Sequence, residues 1–341
     1  MTDIWQRLEG ETLPILLYGT GNGADKIVAE LYRRGIKVSG VFASDGFVRH
    51  REYKGFPVMS LSEAEENFSE FVALFSFGSD RVEVLDNIKR IMSRHTLLAP
   101  EVPVAGGEIF DIEFARRHES ELRAVYSMLC DEKSKITFRE TTLFKLDGDI
   151  SHLFAAECDK SEPFSLLDIS CCRSFLDLGA YNGDTAEEFA ELSPQYSHIT
   201  AVEPDQKSFA KLLRNTNGLR ISCINAAVSD RIGKVPFSKK ASRGSSVGEG
   251  VMIDAVSVDS ICREQSFDYI KFDVEGAEFS ALCGAEATIL RDRPRMRVAA
   301  YHKSEDYFKL PLKVAEIRPD YKLYMRHLPA VPAWDTDFFF L

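Results

Sequence analysis

Cysteine pairs of the kind that bind zinc are missing from this sequence. The chain of 341 residues has only seven cysteines, an odd number, and no two of them are spaced C-x-x-C. Zinc clusters and disulfide frameworks are built on paired cysteines. We therefore predict reduced thiols packed as small apolar side chains, and we predict no metal site.

Long hydrophobic runs and an excess of positive charge are missing as well. No apolar run reaches the roughly 18 residues that a membrane-spanning helix needs. The first segment, MTDIWQRLEGE, is acidic and lacks the apolar core of a signal peptide. The chain has 42 Lys and Arg against 53 Asp and Glu, a formal net charge of -11, whereas a general nucleic-acid binder needs a basic surface. We expect a cytoplasmic protein without membrane or nucleic-acid partners.

Two stretches in which strand and helix patterns alternate are present, and a charged stretch of helical spacing separates them. The first stretch has apolar strand patterns at 14–18, 37–42 and 71–77, and helical patterns at 24–34, 62–68 and 80–92. Ser62 and Asp80 are the expected N-caps of the last two helices. This alternation predicts parallel βαβ units. We predict a small Rossmann-like domain at 1–105, a helical connector at 106–170 and a second α/β domain at 171–341.

The second alternating stretch predicts a particular sheet. Its strand patterns lie at 175–178, 199–203, 221–225, 269–273 and 298–301, its helical patterns at 185–192, 206–215 and 278–290, and two closing strands at 321–326 and 337–341. Five parallel βα steps closed by a β-hairpin are typical of the class I methyltransferase fold. We therefore predict an α/β protein whose larger domain has a Rossmann-like sheet of seven strands with an antiparallel last strand.

The strongest motif is FLDLGAYNGDT, in which an apolar strand ends at Asp177 and turns through Gly179 and Gly183 into a helix. Open α/β sheets bind ligands at the carboxyl ends of their strands. The glycine spacing differs from the G-x-G-x-x-G of dinucleotide folds, and Asp184 in the first helical turn would repel a pyrophosphate. An aminoacyl or sulfonium ligand is better tolerated there. The alternative is that Asp177 is an ordinary turn residue.

The ends of the next two strands carry polar residues at suggestive positions. Glu203 follows Gly183 by twenty residues, and an acidic residue at that place can accept hydrogen bonds from both ribose hydroxyls of an adenosine. Asn225 and Ala226 end the third strand, where an amide and a small apolar contact suit an adenine ring. A plain strand-end carboxylate and a plain turn are the alternatives.

The fourth strand ends in the charged run YIKFDVEGAE, and a histidine follows the fifth. Lys271 and Asp273 share one face of the strand, with Glu275 close to it. His302 lies where a residue can reach towards an acceptor, and histidine suits the role of general base because it titrates near neutrality. A mutually satisfied cluster of ion pairs, a carboxylate metal site that no histidine joins in sequence, and a capping or positioning role for His302 are the alternatives.

A Ser/Gly/basic stretch at 237–246, FSKKASRGSS, lies between the third and fourth strands. This composition is typical of a solvated, flexible loop. Beside an active site it is also compatible with a lid that hydrogen-bonds a polar substrate.

The runs FLDLGAYNGDT, AVEPD, YIKFDVEGAE and YHKSEDYFKLP, together with the ending YMRHLPAVPAWDTDFFFL, resemble the FkbM family of S-adenosylmethionine-dependent methyltransferases. The resemblance covers about residues 111–341 with the motifs in order. It implies S-adenosyl-L-methionine as cofactor and a hydroxyl of a carbohydrate or secondary metabolite as acceptor. The final strand departs from the family's usual ending, which leaves the acceptor open.

The resemblance also implies roles for individual residues. The residues expected to bind the cofactor are Asp177, Gly179, Ala180, Gly183, Glu203, Asn225 and Ala226. His302 is expected to accept the proton, with Asp273 or Glu275 as second choices.

The N-terminal run LLYGTGNGADKIVAELYRRG is similar to the small domain of sugar-modifying acyltransferases. The resemblance implies that Gly19, Gly21 and Gly23 form a ligand loop for a nucleotide-sugar; a structural or dimerising domain, and hence a homo-oligomer, is the alternative. For the whole chain two other functions stay open. One is an NAD-dependent nucleotide-sugar oxidoreductase or epimerase, and the other is a non-catalytic binding protein that retains the fold.

Overall fold

The computed structural model describes residues 2–45, 48, 52–238, 246–247 and 250–341. The N-terminal part consists of α1 (Ile4–Glu9), β1 (Ile15–Tyr18), α2 (Asn22–Arg33), β2 (Gly40–Ala43), β3 (Glu52–Tyr53), β4 (Phe56–Ser60), α3 (Leu61–Asn67), β5 (Val72–Phe75), α4 (Val82–Met92) and β6 (Thr96–Leu98). The strands form one sheet in the order β3-β4-β2-β1-β5-β6. All neighbours pair in parallel except β3 and β4. The parallel βαβ prediction is confirmed, and β3, β4 and β6 were not predicted.

Both predicted N-caps of this part are wrong. Ser60, rather than Ser62, caps α3: its Oγ accepts a hydrogen bond from the Glu63 amide at 3.1 Å, and the Glu63 carboxylate accepts one from the Ser60 amide at 2.7 Å. Helix α4 begins after Arg81, which makes no side-chain cap. Asp80 therefore lies before the helix, and its side chain is available for another role.

The connector consists of α5 (Ile112–Arg117), α6 (Glu119–Met128), α7 (Glu132–Asp147), α8 (Ser151–Ala156) and α9 (Glu162–Leu166). Asp131 caps α7 by accepting a hydrogen bond from the Ser134 amide at 2.7 Å. The helix ends at Gly148, whose φ of 70° lies in the left-handed region that suits a glycine cap. The predicted helical character of the connector is confirmed.

The C-terminal part contains β7 (Ser174–Leu178), α10 (Asp184–Leu192), β8 (His198–Val202), α11 (Gln206–Asn215), β9 (Ile221–Ile224), β10 (Ala227–Val228), β11 (Gly233–Ser238), β12 (Ser246–Val247), β13 (Val251–Val256), α12 (Val258–Ile261), β14 (Tyr269–Phe272), α13 (Glu278–Cys283), α14 (Glu286–Asp292), β15 (Arg295–Ala299), α15 (Asp306–Ile317), β16 (Leu323–His327) and β17 (Thr336–Phe340). Its main sheet has seven strands in the order β16-β17-β15-β14-β7-β8-β9. Only β17 is antiparallel, to both of its neighbours. The predicted sheet is confirmed.

Two features of this part differ from the prediction. The helix predicted at 278–290 is two helices, α13 and α14, which Gly284 and Ala285 separate. A β carbon on Gly284 would lie 2.3 Å from the Ser229 carbonyl oxygen, so this position requires glycine. A second sheet in the order β10-β13-β11-β12 follows β9 and was not predicted. Of the loop predicted at 237–246, residues 239–245 lie outside the described residues.

Within the described ranges, no helix combines the length and apolar character needed to cross a membrane.

The N-terminal sheet packs against the connector and against the loop between β16 and β17. Their buried side chains form one cluster, which includes Phe75, Phe144 and Val331. Ser79 and Val331 exchange backbone hydrogen bonds of 2.9 and 3.0 Å. Gly78 lies directly under the Trp334 ring, so that a β carbon there would be 2.0 Å from Cζ3 of the ring. The segment after β5 is thereby brought to the edge of the C-terminal part.

Candidate active site

A cavity of about 850 Å³ lies at the carboxyl ends of the parallel strands of the C-terminal sheet. Gly179 follows β7, Glu203 follows β8, Asp273 follows β14 and His302 follows β15, and all four line it. Loops at this edge of an open α/β sheet are the usual place for a ligand, and the volume is in the range of small-molecule sites. The motifs picked out along the sequence therefore meet at one place.

Asp177 lies behind the cavity wall, at the end of β7. Its side chain is fully buried, and neither carboxylate oxygen has a hydrogen-bond partner. The Lys271 ammonium is 3.7 Å from Oδ1 of Asp177 and 3.0 Å from Oδ2 of Asp273. Burial raises the pKa of Asp177 to about 6, although Lys271 opposes this. Asp177 is thus a buried carboxylate with unused hydrogen-bonding capacity beside the site.

The two glycines of the first motif are explained by contacts within the protein. Gly179 has a φ of 84°, and a β carbon there would lie 1.8 Å from the Asp273 carbonyl oxygen. Gly183 has a φ of 92°, and its β carbon would lie 2.6 Å from the Thr216 methyl carbon. Gly179 lines the cavity, whereas Gly183 and the fully buried Ala180 do not.

Glu203 lies on the cavity wall and is 7% exposed. Its Oε2 accepts a hydrogen bond from the Tyr181 amide at 2.9 Å, and its Oε1 accepts one from the Asp205 amide at 2.7 Å. These two bonds fix the carboxylate plane at the carboxyl end of β8. Burial raises the pKa of Glu203 to about 7, with the backbone hydrogen bonds acting in the opposite direction. Each oxygen keeps a second lone pair for a ligand.

The structure places Asn225 and Ala226 away from the cavity, in contrast to the prediction. The Asn225 side-chain amide donates to the Glu203 carbonyl at 2.8 Å and so holds two strand ends together. The chain then turns into β10, and it is Ala227 and Val228 that line the cavity. A shift of one residue along an extended chain moves a side chain to the opposite face.

Across the cavity, three carboxylates surround His302, whose side chain is only 1% exposed. Its Nε2 lies 3.7 Å from Oδ1 of Asp273 and 3.5 Å from Oε2 of Glu275, and its Nδ1 lies 3.0 Å from Oε1 of Glu278. Tyr301 donates a hydrogen bond of 3.1 Å to Oδ1 of Asp273. The three residues predicted to be catalytic are therefore neighbours, and all line the cavity. Glu278, which was predicted only to begin a helix, is the fourth member.

The pKa values of His302, Glu275 and Asp273 differ strongly, because burial and neighbouring charges act differently on each of them. Burial lowers the pKa of His302, but Glu278, Glu275 and Asp273 outweigh it and raise the value to about 10. Burial raises the pKa of Glu275 to about 7. Burial also acts to raise the pKa of Asp273, but Lys271 and His302 lower it to about 2. Within this cluster, and with no ligand or cation bound, the shifts favour the protonated ring of His302 and make Glu275 an unusually basic carboxylate.

Backbone strain is concentrated at the cavity. Among the described residues, six other than glycine have a positive φ, and three of these, Tyr181, Glu275 and Asp335, line the cavity. Their φ values of 46°, 52° and 55° are costly for residues with a β carbon. Strained residues of this kind collect at functional sites, where the surrounding structure holds them in place.

Sequence reasoning missed the wall that closes the cavity opposite the sheet. Its residues come from three parts of the chain and include Asp80, Lys160, Phe164, Trp334 and Asp335. No local pattern marks them, because they meet only through the docking of the N-terminal part on the loop between β16 and β17.

Arg297 was also missed. It lines the cavity and pairs with Asp337 at 2.6 Å, and two arginines spaced i, i+2 in the buried strand RMRVA were an available signal.

The glycines of the N-terminal motif do not line this cavity. A β carbon on Gly19 would lie 2.4 Å from the Phe77 ring, and one on Gly23 would lie 2.4 Å from the Ser76 carbonyl oxygen. Protein packing therefore accounts for two of the three glycines. Gly21 has a φ of 137° with open space around its Cα, and it precedes α2 without a side-chain cap.

The strand order, the antiparallel β17 and the position of the cavity define a class I methyltransferase fold. A crystal structure of the methyltransferase FkbM from Methylobacillus flagellatus KT has the same fold, with a TM-score of 0.75 and 22% sequence identity over 99% of this chain and 92% of that one.

Residues 177–327 match the family model of the methyltransferase FkbM domain, which confirms the resemblance over this part of the chain and supports a methyltransferase. The 2-O-methyltransferase NoeI of Sinorhizobium fredii (strain NBRC 101917 / NGR234) is 25% identical over 177 residues. This alignment covers 43% of the chain and 72% of NoeI.

Proposed function

We propose that this chain transfers a methyl group from S-adenosyl-L-methionine to a hydroxyl oxygen of a small molecule or carbohydrate. The observation that carries the proposal is the arrangement of the cavity. Glu203 and the Gly179 turn lie at the ends of β8 and β7, and the Asp273–Glu275–His302 cluster follows β14 and β15. The match to the methyltransferase FkbM domain supports methyl transfer, and the name of NoeI supports oxygen as the acceptor atom.

The residues present fit this cofactor. Asp177 has two buried carboxylate oxygens without partners, and Glu203 offers free lone pairs at the cavity wall. Carboxylates beside the cavity favour a cationic ligand. We propose that the Asp177–Gly179 turn holds the aminoacyl end and that Glu203 holds the ribose, while Ala227 and Val228 provide the apolar surface for the base. When bound, the cofactor supplies an electrophilic methyl group.

The chain's own residues then position the acceptor and remove its proton. We assign the general base to Glu275 rather than to His302, because a base works best with a pKa near the working pH. Glu275 meets that condition, whereas the pKa of His302 lies far above it. Alignment of the two reactants supplies most of the acceleration in such displacements. The wall that contains Asp80, Trp334 and Asp335 is the proposed acceptor surface, which gives the N-terminal part a role in acceptor binding.

Titration calorimetry with S-adenosylhomocysteine and, separately, with NAD tests the proposal. We expect S-adenosylhomocysteine to bind and NAD not to bind, and we expect Glu203→Ala to weaken binding of S-adenosylhomocysteine. Asp254→Asn, in an exposed ion pair with Lys234, is a control that removes a carboxylate elsewhere. Absence of binding at millimolar S-adenosylhomocysteine would refute the proposal, and binding of NAD instead would favour the oxidoreductase alternative.

A further inference from the structure

Asp273, Glu278 and His302 form a compact group that we call the Glu278 cluster. One potential ligand atom from each residue lies within 4.8 Å of the other two. Glu278 and His302 are 0% and 1% exposed, and Asp273 opens onto the cavity. The sequence left a carboxylate metal site at the acidic run only as an alternative, because no histidine joins that run in sequence. The chain turn after β15 brings His302 to that run.

Two buried atoms of the Glu278 cluster have no hydrogen-bond partner within the part of the chain that the structure describes. Oε1 of Glu278 accepts from the Val274 amide at 2.8 Å, whereas Oε2 has no partner. Nδ1 of His302 comes within 3.0 Å of Oε1 of Glu278, but the two are not aligned for a hydrogen bond. A buried carboxylate oxygen without a partner is costly, and the ring nitrogen has only its ion-pair contact with Glu278. Both are atoms that bind metal ions.

Acidic groups outnumber basic groups around the cluster. The carboxyl groups of Asp273, Glu275 and Glu278 face the Lys271 ammonium, at 3.0 Å from Asp273, and the His302 ring, which is the second cation only as long as it keeps its proton. Like charges held in a poorly solvated place destabilise each other unless a cation lies among them. Glu278 cannot move to solvent, because the loop amides that it accepts from hold it in place.

We propose that Asp273, Glu278 and His302 bind a divalent cation of the first transition row at the edge of the cavity. Two carboxylates and one imidazole suit Mn²⁺ or Zn²⁺ better than Ca²⁺ or Mg²⁺, which prefer oxygen ligands alone. Ligand atoms about 2.1 Å from an ion lie at most about 4.2 Å apart, so the three side chains need to close only slightly. Asp273 and His302 line the cavity, so an ion held by the three residues would lie at its edge.

Electron paramagnetic resonance of Mn²⁺ tests this site on the full chain after treatment with a chelator. We expect the signal of free Mn²⁺ to fall on titration until a single ion is bound per chain. Electron spin echo modulation of the bound ion should carry the coupling of a directly bound nitrogen, which is the signature of His302. Failure of Mn²⁺ to bind at millimolar concentration, or binding without nitrogen coupling, would overturn the proposal.

Matched variants separate coordination from general attraction of cations. Glu278→Gln keeps the shape of the side chain, and it should weaken Mn²⁺ binding by about tenfold or more. Asp184→Asn removes a carboxylate from the same cavity but lies outside the cluster, so it should leave Mn²⁺ affinity nearly unchanged. Equal weakening by both variants would contradict the proposal. If Glu278→Gln fails to fold, the nitrogen coupling in the wild type still decides whether His302 binds the ion.

The metal site does not depend on the proposed methyl transfer. Titration with S-adenosylhomocysteine in the presence of EDTA tests the cofactor site alone, since the Glu278 cluster lies at the acceptor side of the cavity. Binding of S-adenosylhomocysteine without Mn²⁺ binding would leave the proposed function standing and remove only the metal.

Discussion

Gly179 lies so close to the carbonyl oxygen of Asp273 that a β carbon on the glycine would be 1.8 Å from that oxygen. The contact joins the turn after β7, on the proposed cofactor side of the cavity, to the turn after β14, on the proposed acceptor side. The glycine also has a φ of 84°. Both features exclude any larger residue.

Gly179→Ala should therefore lower the free energy of unfolding by about 3 kcal/mol, since a backbone atom cannot give way as a side chain can. Chemical denaturation measures this loss. Gly218→Ala is the matched control, because Gly218 has a φ of 98° with open space around it. It should lose only the roughly 1–2 kcal/mol of the left-handed backbone. Equal losses in the two variants would mean that the contact with Asp273 is unimportant.

Lys271 is the cation between the buried carboxylate of Asp177 and the half-buried carboxylate of Asp273, and its removal should be costly. Lys271→Met leaves Asp177 and Asp273 without their ammonium, which should lower the free energy of unfolding by about 3 kcal/mol. Lys234→Met is the control. Its partner Asp254 is 3.6 Å away, and both side chains are well exposed, so the loss should be below about 1 kcal/mol. A similar small loss in both variants would contradict the importance of the buried pair.

The proposed base predicts the pH dependence of the reaction. Burial raises the pKa of Glu275 to about 7, and only the carboxylate form accepts a proton. Therefore, in the presence of EDTA, where no cation is bound beside Glu275, kcat/KM should fall about tenfold per pH unit below pH 7 and level off above it. Glu275→Gln should lower kcat by about 100-fold or more and abolish this dependence. A rate that keeps rising towards pH 10 would assign the proton transfer to His302 instead.

His327, in the last parallel strand, predicts a loss of stability in acid. Burial lowers its pKa to about 4, whereas an exposed imidazole has a pKa of about 6.5. The unfolded chain then binds more protons between those values, so the free energy of unfolding falls as the pH falls through this window. The loss is on the order of 3 kcal/mol when complete.

Denaturation of the wild type and of His327→Gln at pH 7 and pH 4.5 isolates this contribution. The wild type should lose about 2 kcal/mol more than the variant over that range. A stability difference between the two proteins that does not change with pH would contradict the assignment.

The sequence contained the information for the seven-stranded sheet, because each of its strands is a short apolar run with a turn signal after it. Asp273, Glu275 and His302 were predictable for the same reason, since they are charged residues at strand ends. The positions of Asp80 and Trp334 at the cavity were not predictable from the sequence, because these residues reach it only when the N-terminal part docks on the loop between β16 and β17. Glu278 was assigned to a helix start, and only the fold brings it to His302.

The most direct test of the central claim is a crystal structure of the chain with S-adenosylhomocysteine. We predict that the ligand occupies the cavity, with its ribose hydroxyls hydrogen-bonded to the Glu203 carboxylate and its sulfur towards Glu275. Density for the ligand at the Gly19–Gly23 turn, or a vacant cavity in crystals grown with saturating ligand, would contradict the account.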